Sequence, residues 1–150
     1  YYQAGLIETD QDAVTNAIAE IQKEKAEALE KTLANLNDKV LVNEWATDGS
    51  IVAEGKKLYE KVNCVGCHGT ELDAPTKLGL SLVDHEWKYG DRPMEIFKLI
   101  NEGSPAESKG MQPTGAKMVP WGAQLGGKEI AQLVAFIISK NPEDFAKFKD

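Results

Sequence analysis

Cys64-Val65-Gly66-Cys67-His68 holds the only two cysteines of this chain, with a histidine directly after the second. That spacing is the attachment signature of a c-type haem. Each thiol can add to a haem vinyl group as a thioether. Two intervening residues fit the short arc that sets both sulfurs along one haem edge. The next side chain, His68, then points at the iron, where a neutral imidazole is a good axial ligand. Other readings stay open on these five residues alone. The pair can form a structural disulfide. A thioredoxin-like redox pair would sit beside a βαβ pattern, and the sequence shows no strand series. Structural zinc wants four ligands, and the chain offers only Cys64, Cys67, His68 and His85, without a second paired motif.

With 150 residues the chain is long enough for one domain with a modest core. Charged residues make up 27% and the formal net charge is −7. Lys and Arg are scattered rather than gathered in a patch, which argues against a nucleic-acid partner. Haem propionates would deepen the acidity. A redox partner with a basic docking face follows as one expectation, with association that weakens as salt rises. Acidity that only keeps the protein soluble is the other. No run of about 18 apolar residues is present. The first residues are Tyr1-Tyr2, not Met. Covalent haem attachment takes place outside the bacterial cytoplasm. A cleaved signal or a membrane anchor ahead of residue 1 is therefore expected, and the location is periplasmic or otherwise exported. Paired tyrosines would suit the aromatic belt of a membrane exit.

Asp10 to about Val40 reads as one long helix of about 40 Å, free of Gly and Pro and rich in Ala, Glu, Lys and Leu. Val14, Ile18, Ile21 and Ala28 form one apolar stripe; Leu29, Leu33, Leu36 and Val40 form another. The shift between them breaks any heptad seam, so packing or spacing is favoured over a dimeric coiled coil. Asn37 to Ser50 reads as a connector, with Asp48 or Ser50 capping the next helix. Helices are predicted over Ile51 to Val62, Pro93 to Asn101 and Lys128 to Lys140, the last with a broad apolar face. Gly103 follows the second of these as a stop. Asn141-Pro142 ends the third, and Glu143 to Lys149 can add a short helix. Loops fill Gly69 to Gly79 and Gly103 to Gly127, and there is no internal repeat. The domain reading is 1–48 as a helical extension and 49–150 as the compact unit.

From about Gly49 to Lys140 the chain resembles the class I, mitochondrial-type cytochromes c in their bacterial branch. The resemblance rests on Gly55 and Tyr59 before the haem motif, Cys64-Val65-Gly66-Cys67-His68-Gly69, Ala74-Pro75-Thr76-Lys77-Leu78-Gly79, and Leu133 and Phe136 in the last helix. It implies an all-α cytochrome c fold around one covalent haem c, with the N-terminal helix as an extension. It implies that Gly55 lets two helices approach closely, and that the Pro75 carbonyl accepts the proton on the far nitrogen of His68. Glu86-Trp87-Lys88-Tyr89-Gly90-Asp91 resembles the loop whose aromatics cover the haem edge. That makes Trp87 a donor to a propionate, helped by Tyr89 or Arg92, or else a core filler beneath the haem. Leu78 and Trp121 join the haem-contacting set by the same resemblance.

Three methionines are candidates for the sixth ligand, since a thioether opposite histidine raises the potential. Met118 precedes Trp121-Gly122 and Leu125 as the ligand does in this branch. There the methionine is usually followed directly by proline, whereas here Val119 intervenes. Met111-Gln112-Pro113 repeats the Met-x-Pro form of Met118-Val119-Pro120, so Met118 is favoured and Met111 is its rival. Met94 reads as helix packing, and His85 as an exposed histidine rather than a ligand. The resemblance implies a non-enzymatic electron carrier that passes single electrons between redox proteins, an oxidase or a dehydrogenase among them. It extends to the cytochrome subunits of cbb3-type oxidases, where a Tyr-rich membrane exit, a helical stretch and a cytochrome domain follow one another. A haem-based gas or redox sensor with a labile methionine bond is the alternative.

Overall fold

The computed structural model describes residues 10–105 and 117–150. Tyr1-Tyr2 and Met111-Gln112-Pro113 lie outside the described residues, as do the side chains of Leu29 and Leu33. Helices α1 (Asp10–Asn35), α2 (Asp38–Val40), α3 (Gly49–Lys61), α4 (Cys64–His68), α5 (Pro93–Glu102) and α6 (Gly127–Lys140) follow in order. A π-helical turn spans Leu41–Trp45 and a 3₁₀ turn spans Ala146–Phe148. No strand occurs among the described residues. The helical reading of the sequence is therefore matched in kind, and the last predicted helix is reduced to its 3₁₀ turn.

Helix α6 is the centre of the core. Ile130, Ala131, Val134 and Ala135 are fully buried, and Leu133, Phe136, Ile137 and Ile138 nearly so. Helix α3 packs along it most extensively, and α5 and the π-helical turn pack beside it. The α3 start is capped as expected, with Asp48 accepting from the Ser50 and Ile51 backbone N–H groups. Those bonds hold the exposed Asp48 carboxyl below its usual range, the Ser50 hydroxyl contributing most.

The N-terminal third differs from the single helix and connector read in the sequence. Helix α1 stops at Asn35, and Asn37 caps a new start by accepting from the Val40 N–H at 3.0 Å. The segment beyond is no loose linker. Leu36, Leu41 and Val42 enter the core, and the Asp38 carboxylate accepts from the Met94 N–H at 2.8 Å at the start of α5. Asp38 also pairs with Arg92. From Asp10 to Ala28, by contrast, α1 is exposed throughout, including Val14, Ile18 and Ile21. Leu41→Ala should cost about 2–5 kcal/mol of unfolding free energy, because it empties a buried site. Ile18→Ala should change it by under about 0.5 kcal/mol. Denaturant titration of the two variants measures this difference; equal effects would mean that the core does not reach back to residue 41.

Candidate haem-binding site

Helix α4 is the haem motif itself. Asn63, in the left-handed region at φ 63°, turns the chain from α3 into it. Its far end is fastened by its neighbours. The buried Tyr59 hydroxyl donates to the Gly69 carbonyl at 2.6 Å. The Ala74 N–H donates to the His68 carbonyl at 2.8 Å, and the Gly79 N–H to the Cys67 carbonyl at 3.0 Å. Leu72 and Ala74 are buried and root this returning loop. At Gly79 a Cβ would lie 2.8 Å from the Cys67 carbonyl oxygen and 3.1 Å from the His68 ring. Only glycine lets the loop lie flat against the imidazole.

His68 is held by a carbonyl, though not the one expected. Its Nδ1–H donates to the Leu80 carbonyl at 2.7 Å. Pro75 is exposed and contributes nothing to the cleft wall described below. The correction leaves the chemistry intact. A carbonyl can only accept, so the proton sits on Nδ1 and the lone pair on Nε2 is available to a metal. Burial pulls the His68 pKa down, against the opposing pull of the Leu80 bond, which keeps the ring neutral as a ligand must be.

Both thiols, His68, Met118 and a wall of apolar side chains converge on one cleft. Leu78 to Leu82 close one side, Trp87 and Tyr89 another, and Ile96, Leu99 and Ile100 of α5 a third. Leu133 and Ile137 of α6 reach it from the core, and Trp121 stands beside Met118 and Val119. Met118 is pinned by a two-way bridge that the sequence did not signal. Its N–H donates to the Ser104 hydroxyl at 2.9 Å, and the Ser104 N–H donates to its carbonyl at 3.0 Å. Met94 packs against the core, as its helical position suggested.

Two expected propionate partners are used otherwise. The Trp87 indole N–H donates to Asp144 at 3.0 Å, and its ring tilts against Phe145 at 5.3 Å between centroids. Trp87 thus fills the cleft wall while its polar edge faces a carboxylate. Arg92 is not a cleft residue and pairs with Asp38. His85 lies on the exposed side of the same cluster, with Nδ1 2.9 Å from Asp144.

These residues fit a covalently held haem. Cys64 and Cys67 are free thiols, so the disulfide alternative is not realised. Burial, above all, pushes the Cys64 thiol up to about 11. Zinc would need a further cluster of ligands. Among the described residues no group of three or more His, Cys, Asp or Glu side chains is placed to hold a metal ion. One imidazole nitrogen, one thioether and an apolar cleft suit an iron porphyrin.

The sequence matches the family described as cytochrome c oxidase, cbb3-type, subunit III over residues 50–137. The chain belongs to that family. As a subunit III-family member it is similar to the cbb3-type cytochrome c oxidase subunit FixP of Sinorhizobium medicae, at 28% identity over 81% of this chain. The FixP of Rhizobium meliloti is 26% identical over 84% of it. The chain spans only 41% and 42% of those relatives' own lengths. Among solved structures, cytochrome cL of the marine methylotroph Methylophaga aminisulfidivorans superposes with a TM-score of 0.56 at 25% identity. That match covers 75% of this chain and 65% of the other. The subunit III-family chain is thus a class I c-type cytochrome with the all-α cytochrome c fold, as the motif order implied.

Proposed function

We propose that this chain carries single electrons through one haem c, tethered by Cys64 and Cys67 and ligated by His68 and Met118. The observation that carries this reading is the convergence of both thiols, the oriented imidazole and the thioether on one cleft. Bound haem supplies a one-electron Fe(III)/Fe(II) couple. The chain's own residues do the rest. Leu80 fixes the His68 ring, Ser104 holds the Met118 backbone, and Leu78, Leu82, Trp87, Tyr89, Trp121 and Leu133 keep water from the cleft. With the His68 ring and the Met118 backbone each held by hydrogen bonds, little has to move when charge changes. One haem is expected, since the chain has only two cysteines.

The context proposed is an exported haem domain that exchanges electrons with a respiratory oxidase or another redox protein. Among the described residues no helix is long and apolar enough to cross a membrane. The purified holoprotein should keep its colour through acid–acetone extraction, and Cys64→Ala with Cys67→Ala should lose it. Reduced protein should not bind carbon monoxide at neutral pH. Rapid binding would instead favour the sensor reading, and pigment extracted from the wild type would end the covalent one.

A further inference from the structure

Asn141 directly follows α6 and is 1% exposed, a polar side chain in a core that is otherwise almost wholly apolar. Its amide nitrogen donates to two carbonyls, Leu82 at 2.8 Å and Ile137 at 2.9 Å. A carbonyl can only accept, so both contacts need the amide N–H groups and the orientation of the side chain is fixed. The other end is left over. Oδ1 is buried and meets no donor among the described residues. Packing does not account for that arrangement, because a leucine fills nearly the same volume and leaves no buried oxygen unpaired. Capping of α6 does not account for it either. A serine hydroxyl reaching back one turn can make the bond to Ile137. What the amide adds is a second N–H, which reaches Leu82 across 59 residues of sequence.

Leu82 lies two residues past the Leu80 carbonyl, which accepts from the His68 Nδ1–H at 2.7 Å. Leu80 to Leu82 belong to no helix or strand. They end a loop that takes left-handed conformations at Leu72, Ala74 and Lys77. The Leu82 N–H donates to the Leu72 carbonyl at 2.7 Å, a bond that closes the loop on itself. The bond from Asn141 instead ties the loop to α6, the most deeply buried helix. Its two acceptors, Leu82 and Ile137, both line the cleft. One amide thus fixes two cleft walls against each other, and with them the place of the carbonyl that faces His68.

We infer that Asn141 is a positioning residue for the axial histidine: by holding the Leu82 carbonyl against α6, it keeps the Leu80 carbonyl in bonding range of His68 Nδ1. A carbonyl bonded to Nδ1–H makes the imidazole a stronger donor to iron and favours the ferric state. Loosening that bond favours the ferrous state. The inference rests on the proposed ligation by His68.

The test uses reduced holoprotein isotopically labelled at histidine and asparagine, read by NMR, together with a redox titration. In the wild type, the Asn141 side-chain N–H groups and the His68 Nδ1–H should exchange slowly with solvent. Asn141→Leu should speed Nδ1–H exchange about tenfold or more. At a fixed applied potential it should raise the ferrous-to-ferric ratio about threefold. Asn141→Ser, which keeps only the turn back to Ile137, should behave like the leucine variant. Val134→Ala is the structural control, since it empties part of the buried face of the same helix. It should lower the melting temperature and leave both His68 readings at their wild-type values. Rapid exchange of the wild-type Asn141 N–H groups overturns the inference whether or not the variants fold. So does a leucine or serine variant with wild-type readings, or a Val134→Ala protein that shifts both. The ligation itself has a separate signature. The haem ring current should move the wild-type His68 ring protons far from ordinary histidine positions. Unshifted protons would end the ligation reading, and the positioning role with it.

Discussion

Met118→Ala is expected to abolish the far-red charge-transfer absorption of the ferric holoprotein while leaving the covalent haem in place. The reduction potential should fall by on the order of 0.1–0.3 V, within the wide range that axial ligands command. The reason is chemical. A thioether opposite an imidazole favours ferrous iron, and among the described residues Met118 is the cleft's thioether. Its backbone N–H and carbonyl are both held by Ser104, at 2.9 and 3.0 Å, so the sulfur hangs from an anchored residue. Ser104→Ala should keep the ligand but weaken its hold, giving a band that fades on mild warming. The emptied position in Met118→Ala should also admit carbon monoxide. Met111→Ala is the decisive companion, because Met111 shares the Met-x-Pro form. If that variant loses the band and Met118→Ala keeps it, the ligand assignment is wrong. Absorption spectra of the ferric proteins and a redox titration read both effects.

How much of this site was legible depends on how local each signal is. The haem motif, the α3 and α5 starts and the apolar face of α6 all declare themselves within a few residues. Asp48 caps its own helix, Pro93 opens the next, and Gly103 closes it at φ 77°. The acceptor for His68 is a different kind of fact. Which carbonyl reaches Nδ1 depends on the path of the loop after Gly69. That path runs through left-handed conformations at Leu72, Ala74 and Lys77, residue types that do not announce them. A proline seven residues past the histidine therefore looked like the acceptor, and Leu80 takes the role.

Trp87 shows the same limit at longer range. An indole on a haem-edge loop needs a polar partner, and the partner is a carboxylate 57 residues away in the C-terminal segment. Nothing near Trp87 points to Asp144. The segment from Leu36 to Val42 is the converse, a readable signal given too little weight. Asn37-Asp38 is a strong helix start, and Leu41 and Val42 follow it as adjacent apolar residues. Freedom from Gly and Pro made Asp10 to Val40 look continuous. The Asn37 side chain nonetheless ends one helical run and begins another, and tertiary burial settles where the core starts.

Gly55→Ala should destabilise the holoprotein by about 3 kcal/mol or more, although alanine is the better helix former by about 1 kcal/mol. The steric term wins because of what surrounds the site. A Cβ on residue 55 would lie 2.1 Å from the Gln132 carbonyl oxygen, 2.8 Å from its carbon and 2.9 Å from the Phe136 Cβ. The first two are backbone atoms of α6 and cannot swing aside. To make room, α3 must lift away from the most deeply buried helix of the fold. The displacement would also reach the haem motif. One turn further along α3, the Tyr59 ring meets Phe136 at 5.4 Å, and its hydroxyl holds the Gly69 carbonyl. Melting temperature should drop by on the order of 10 °C, with a change in the Soret circular dichroism as α4 loses its anchor. Gly49→Ala is the matched control, since a Cβ there meets nothing within 4 Å. It should melt at or slightly above the wild-type temperature. A Gly55→Ala protein that melts with that control would mean that α3 and α6 do not touch at residue 55, and that Tyr59 steadies the haem motif without the close approach of the two helices.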